Sequence, residues 1–292
     1  MLLQLSATEL SAFHKLEHRH LLRLALFVVL YLCAATLAVE APSFLLRLPL
    51  YLLAAASLHA ISLFTHEGVH GTLLPNPFLN RALAALCAWP VLQNFSAYRV
   101  LHLKHHADLG GPSDPDHYPN YSRRWVLAMH WGRLIAGYPA YVTAIPLLAL
   151  RKATARERLA ILFEVFAVMG IAVALISAPA LRPWLFHGWL FPMLIVNTLV
   201  NVRGMSQHTL LPNERDAVLG TRSILASPVV AFFMCNENLH LEHHLYPRVP
   251  WYHLPKLHQR LADELRAQHA VFIPSYRSFV FGFARAWWKG DA

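Results

Sequence analysis

The stretch Leu48-Pro-Leu-Tyr-Leu-Leu-Ala-Ala-Ala-Ser-Leu-His-Ala-Ile-Ser-Leu-Phe-Thr65 runs without a charge and passes at once into His66-Glu-Gly-Val-His70. A charge-free run of that length is a candidate membrane span. The two histidines behind it stand at i and i+4, so a continuing helix presents both imidazoles on one face. An apolar helix that delivers paired metal-ligating side chains to its end is the unit from which the rest of the chain is read.

Working outward, three further runs resemble the first. Leu24 to Val39 lies between Arg23 and Glu40, and Pro183 to Val202 lies between Arg182 and Arg203. Leu159 to Leu181 carries one charge, Glu164, near its start. The links 40–43 and 178–184 are short, so the four runs pair into two hairpins. Ala82 to Tyr98 contains Pro90, Gln93 and Asn94 and is not expected to cross. Leu134 to Leu150, with Gly137, Pro139 and Pro146, is expected in the membrane interface or a protein groove, and Ser223 to Cys235 is too short to span. The N-terminal segment, with Glu9 and Glu17, does not read as a cleaved signal.

Composition agrees. The 292 residues are 56% hydrophobic and 14% charged, against about 25% charged in soluble domains. That excludes a disordered tail, a nucleic-acid module and an ordinary soluble enzyme as first readings. The net charge is +9. With two hairpins, only Arg47 and Arg182 of the 25 Lys and Arg fall on the far side. The positive-inside rule makes the crowded side cytoplasmic. The expected fold is an all-α integral membrane protein of one domain, residues 1–292. It has two transmembrane hairpins (spans 24–39, 48–65, 159–181 and 183–202), interfacial helices and a cytoplasmic helical cap holding a di-metal site. Segments 66–132 and 203–270 are the expected metal-binding parts, and both termini are expected in the cytoplasm.

Three histidine clusters carry the chemistry: His66-x3-His70, His102-Leu-Lys-His105-His106 and His240-Leu-Glu-His243-His244. In the last two, the i, i+3 and i+4 spacing gathers three imidazoles on one helical face. The topology chosen from charge puts all three boxes on one side. Cys33, Cys87 and Cys235 are scattered and supply no thiolate site, so imidazole must hold any metal. Eight or more neutral nitrogens exceed one four-coordinate zinc and suit two first-row ions, iron being the redox-active choice. Two other classes fit parts of this pattern. His66-Glu67-x2-His70 also fits a zincin motif with Glu67 as base, a reading that leaves the other boxes without a role. A histidine-rich metal transporter would want ionisable groups at mid-membrane depth, where only His59 and His187 lie inside strong runs.

The boxes together resemble the membrane fatty acid desaturase and hydroxylase superfamily, as do Asp114-Pro-Asp116 after the second box and His244-Leu-Tyr-Pro247 with Leu254-Pro-Lys-Leu-His258 after the third. The resemblance covers the chain from the first span to about Leu265. It implies one more histidine ligand after the last span, a position matched by His208 in Gln207-His208. The implied ligand set is His66, His70, His102, His105, His106, His208, His240, His243 and His244. Glu67, Asp108, Asp114, Asp116, Asn236, Glu237 and Glu242 are placed to support these imidazoles or a metal-bound water. His14, His18 and His20 read as a solvated basic segment, and His117, His130, His187, His253, His258 and His269 as surface or interface residues. His59 shares the face of His66 one heptad back and reads as a buried, hydrogen-bonded residue.

The resemblance implies a di-iron, O2-dependent desaturase acting on a fatty acyl or other lipid chain taken from the bilayer. A hydroxylase or ketolase of a lipid or carotenoid is the alternative on the same scaffold. Trp89, Phe95, Tyr98, Trp131, Trp189, Phe232 and Phe233 are available to line an apolar tunnel. No His-Pro-Gly-Gly haem motif, GxGxxG or four-cysteine pattern is present, so electrons are expected from a separate ferredoxin, cytochrome or reductase. No nucleic-acid partner is expected.

Overall fold

The computed structural model describes residues 5–116, 123–211 and 215–289. Ser6 opens α1 (Ala7–Phe13) with a capping box in which Glu9 answers. Helix α2 (Arg19–Glu40) and helix α3 (Phe44–His70) form the first hairpin, joined by the short link the sequence suggests. Ser43 accepts the Leu46 N–H to start α3. The helix then runs past the apolar stretch, through the whole first box, and ends where Gly71 turns left-handed at φ 75°. Glycine takes that conformation without the Cβ clash other residues meet.

Helix α4 (Pro77–Ala88) crosses the end of α3. A Cβ on Gly68 would stand 2.1 Å from the Ala84 Cβ, so the glycine inside the first box is a contact point between helices. Asn80 locks the crossing: its side chain accepts from Leu73 and Leu74 N–H and donates to the Gly68 carbonyl. Helix α5 (Phe95–Ala107) carries the second box and is capped by Asn94.

Helix α6 (Arg123–Lys152) is the run of ambiguous character, and it bends by 90° between Ala128–Pro139 and Tyr141–Lys152. Ala136 leaves helical geometry and Pro139 has no N–H to give. Asn197 answers the freed groups, accepting from Tyr138 N–H and donating to the Leu134 carbonyl at 2.6 Å. Helix α7 (Ala155–Ile176) opens on a Thr154–Glu157 capping box. It ends five residues before the apolar run does, the remainder being a turn and a short 3-10 segment over Pro179–Leu181.

The last long helix begins as a π-helical segment, Trp184–Leu190, and continues as α8 (Phe191–His208). It overruns the expected limit at Val202 because Arg203 is neutralised inside the protein by Glu237 instead of ending the helix at water. A parallel pair of short strands, β1 (Arg222–Ile224) and β2 (Val271–Ile273), was not legible as strands in the sequence. Between them lie α9 (Pro228–Phe233), α10 (His240–Leu245) with the third box, and α11 (Leu254–Ala267). Leu257, Leu261 and Leu265 of α11 are fully buried, as their i, i+4, i+8 spacing predicts. The chain closes with the amphipathic α12 (Tyr276–Lys289).

The result is an all-α architecture with four helices long and apolar enough to cross a membrane: Arg19–Glu40, Phe44–His70, Ala155–Ile176 and Trp184–His208. Their outer faces expose Leu45, Leu52, Phe163 and Phe166. That is the sign of a helix solvated by lipid rather than by water.

Three histidines sit elsewhere than the sequence suggests. His20 is buried, not solvated: its ring nitrogens face the carbonyls of Glu17 and Leu73, because α2 starts at Arg19 and turns it inward. His258 is only partly exposed, its Nδ1 lying 2.5 Å from Glu242 Oε1 of the third box. His130 is likewise buried. His187 joins Tyr51 at 2.6 Å and Arg47 at 3.3 Å, which ties the far end of α3 to the π-helical segment. His59 is buried as expected, but its Nε2 has no hydrogen-bond partner among the described residues. His117 lies outside the described residues.

Candidate metal centre

All nine histidines converge. His66 and His70 come from the end of α3, His102 and His106 from α5, and His243 from α10. One nitrogen of each lies within 4.8 Å of one nitrogen of every other. Within this group His70 Nε2 and His106 Nε2 each stand 3.0 Å from His102 Nε2, and His243 Nε2 is 3.2 Å from His106 Nε2.

The second group sits beside the first. One nitrogen from each of His105 of α5, His208 at the end of α8 and His244 of α10 lies within 4.8 Å of the others. His240 closes it, its Nε2 lying 3.3 Å from His208 Nε2 and 3.1 Å from His244 Nε2. The two groups touch where the His106 and His244 rings stack with centroids 4.2 Å apart.

These nitrogens do not satisfy one another. His105 Nδ1 donates to Asp114 at 2.9 Å, and His208 Nδ1 donates to the Gly220 carbonyl at 2.9 Å. A neutral imidazole has one N–H, so two bare lone pairs then face each other across 3.3 Å between the Nε2 atoms. Only a cation between them, a proton or a metal ion, makes that arrangement favourable. Nitrogens bound about 2.1 Å from a common ion lie roughly 3.0 to 3.4 Å apart, which is the spacing found. His66 Nε2 is buried without a hydrogen-bond partner among the described residues, as a ligand nitrogen would be.

Electrostatics prepares the set. Burial, and then the neighbouring imidazoles, hold His102, His240, His243 and His244 well below the usual imidazole range. The same causes push His106 down to about 2. Their lone pairs are therefore free near neutral pH. His105 differs. Burial disfavours its charge, but the Asp114 hydrogen bond and the Asp116 charge more than offset this and raise its pKa.

The acidic and amide residues singled out from the sequence divide. Asp114 grips His105 directly, and Asp116 belongs to the same small cluster. Glu67 Oε1 and Glu237 Oε1 each lie 3.9 Å from a His66 nitrogen. The other three serve the framework. Glu242 is taken by Ser223 of β1 and His258 of α11, which clamps the third box between strand and helix. Asp108 accepts the Ser113 N–H, and Asn236 donates to the Trp251 carbonyl. Glu67 is similarly engaged, accepting from Thr72 Oγ1 at 2.7 Å and from Trp251 N–H. The zincin reading fails on geometry, because His66 and His70 share their group with residues of both other boxes.

A cavity of about 620 Å³ adjoins the groups. His66, His102, His105, His208 and His240 form one wall. Of the seven aromatics noted in the sequence only Tyr98 lines it, stacked on His102 with centroids 5.0 Å apart. Tyr138 and Tyr141 of α6 were missed. The other aromatics pack elsewhere, Phe232 and Phe233 against Phe27 and Trp131 against Phe283. The sequence also missed the Arg203–Glu237 ion pair at the cavity wall. An arginine at the end of an apolar run reads as a span boundary, and nothing local announces its partner.

The family model described as fatty acid desaturase matches residues 42–276, a range that contains all three boxes and His208. A beta-carotene ketolase of Paracoccus sp. (strain N81106 / MBIC 01143) is 27% identical over 203 residues, covering 66% of this chain and 71% of the relative. A beta-carotene ketolase of Paracoccus sp. (strain PC1) is 25% identical over 204 residues, covering 66% and 72%.

Proposed function

The chain belongs to the fatty acid desaturase family, and from that premise we propose a di-iron, O2-dependent membrane oxidoreductase that introduces a double bond into a fatty acyl or other lipid chain. The observation that carries the proposal is the gathering of nine imidazoles into two adjoining groups at the wall of one cavity. His66, His70, His102, His106 and His243 would hold one iron, and His105, His208, His240 and His244 the other.

When bound, such a pair of irons supplies activation of O2 with two delivered electrons, the oxidant that an unactivated C–H bond requires. The remaining work belongs to this chain. Asp114 fixes the tautomer and ring plane of His105. Tyr98 packs on His102 and restricts its rotation. The cavity wall orients the chain beside the imidazoles and excludes bulk water. Electrons come from a separate ferredoxin, cytochrome or reductase, and the boxes and both termini lie on the cytoplasmic side, as the distribution of Lys and Arg supports.

Oxygenation of a lipid or carotenoid, to an alcohol or a ketone, is the second reading, favoured by the two ketolase relatives. Lipid mass spectrometry on cells expressing the wild type and His243→Ala separates them. A histidine-dependent product lighter by two hydrogens supports desaturation. One heavier by an oxygen atom, with or without loss of two hydrogens, establishes oxygenation instead. Lipid profiles that do not differ between wild type and variant, together with purified wild type that retains no iron, would end both readings.

A further inference from the structure

The cavity is not lined as a slot for hydrocarbon alone. On the wall next to the first histidine group stand Arg203 and Tyr98. Tyr98 stacks on His102, and the Arg203 partner Glu237 lies 3.9 Å from His66. Apolar side chains take over along α6, where Ile145 and Leu148 fall on the stripe begun by Tyr141. Leu148 lines the cavity and is itself 41% exposed, which puts the apolar end of the lining at the outer surface. One cavity thus has a polar floor beside the metal-ligating nitrogens and an apolar mouth on a surface with exposed leucines.

Burying a guanidinium is costly unless its donors are used. Glu237 takes the Nη1 of Arg203, while Nε finds no partner among the described residues. A purely hydrocarbon substrate would dry this floor without giving it an acceptor. The ion pair is already neutral as a unit. The Arg203 charge is already matched by Glu237, and Asp114 and Asp116 line the same cavity. A substrate carboxylate would therefore meet fixed negative charge on this wall, whereas a neutral oxygen would accept a hydrogen bond without that repulsion.

We propose that Arg203, held by Glu237 and assisted by Tyr98, seats a neutral carbonyl or hydroxyl oxygen of the substrate on this floor. The substrate is then an uncharged amphiphile oxidised close to its oxygen-bearing end, with its hydrocarbon leading out past Ile145 and Leu148. This rests on the reading of the histidine groups as the oxidising centre.

The test is binding to the purified full-length protein in nanodiscs, with four probes of one chain length: an n-alkane, the primary alcohol, the fatty acid methyl ester and the free fatty acid. Wild type is expected to bind the ester and the alcohol at least about tenfold tighter than the alkane and the free acid. The neutral double variant Arg203→Met with Glu237→Gln removes both charges, so that neither is left buried alone. It is expected to bring the ester-to-alkane ratio near one while retaining the alkane affinity. Equal affinities in wild type, preference for the free acid, binding of no probe, or a ratio that survives in the double variant each overturn the proposal. These readouts need no turnover. A flat ratio with histidine-dependent lipid oxidation would sink only the substrate inference, and a steep ratio with no oxidation would sink only the assigned reaction.

Discussion

Asp114 shows how a single residue sets the quality of the centre. Its Oδ1 meets His105 Nδ1, while its two oxygens also take the N–H groups of Gly110 and Asp116. Burial works to raise its pKa, but the His105 hydrogen bond, the imidazole charge and the backbone donors together hold it below the usual carboxylate value. It therefore stays an anion and fixes the proton on Nδ1, which turns Nε2 toward the second histidine group. Asp114→Asn keeps the size and removes that charge. Iron affinity, measured by chelator competition, is expected to fall about 10- to 100-fold, the usual range for a residue that orients a metal-bound histidine. Asp108→Asn changes a neighbouring carboxylate that serves only the loop, and should leave the affinity where it was. Equal iron retention in Asp114→Asn and wild type would deny Asp114 the orienting role.

At the scale of elements, the second box is aimed by a residue that looks like a flaw in a span. Glu164 of α7 is buried, with Ile161, in a helix whose other sides are largely exposed. Its carboxylate accepts the N–H of Phe95 at 2.7 Å and of Ser96 at 3.1 Å, plus the Ser96 hydroxyl. It thereby caps α5 from outside, and Asn94 adds a bond to the Ile161 carbonyl. Glu164→Ala would strand buried donors, at about 1 to 3 kcal/mol, and should lower both the thermal midpoint and the iron content. Glu157→Ala, at the half-exposed capping box of α7, should cost no more than about 2 kcal/mol and spare the iron. The reverse ranking would refute this role for Glu164. The same residue marks the limit of what could be read in advance. Apolar runs and histidines at i, i+3 and i+4 are local and periodic, so the spans and the boxes are legible in the chain. A cap joining residues 164 and 95, the Arg203–Glu237 pair and the Glu242–His258 clamp are contacts between distant elements with no periodic signature. The bend of α6 is intermediate. Its prolines announce a break, but the stabilising partner, Asn197, lies on another helix.

At the scale of the whole molecule, the convergence of the boxes constrains how the chain threads the membrane. His106 Nε2 and His243 Nε2 are 3.2 Å apart, although α6, α7 and α8 lie between them in the chain. Two side chains meet on one side of a bilayer only if the crossings between them are even in number. Helices α7 and α8, joined by a short link, are both long and apolar enough to cross. Together they would make an even pair, although α7 packs on α5 and α6 and α8 on α3 and α6. If the two arms of α6 made a further span, the count would be odd and the second and third boxes would face opposite compartments. On that count the 90° bend of α6 is expected to be a re-entrant turn rather than a span, with Asn197 satisfying its broken backbone. The prediction concerns labelling by a membrane-impermeant maleimide in a Cys33→Ser background. Ser113, exposed in the loop after the second box, and Arg182, exposed in the link of the second hairpin, are each replaced by cysteine. The cysteine at 113 should react only when the cytoplasmic face is open to the reagent, and the cysteine at 182 only from the opposite face. Labelling of both from one side would break the two-hairpin topology. Labelling on opposite sides but with the two faces exchanged would keep the threading and overturn only the orientation drawn from Lys and Arg.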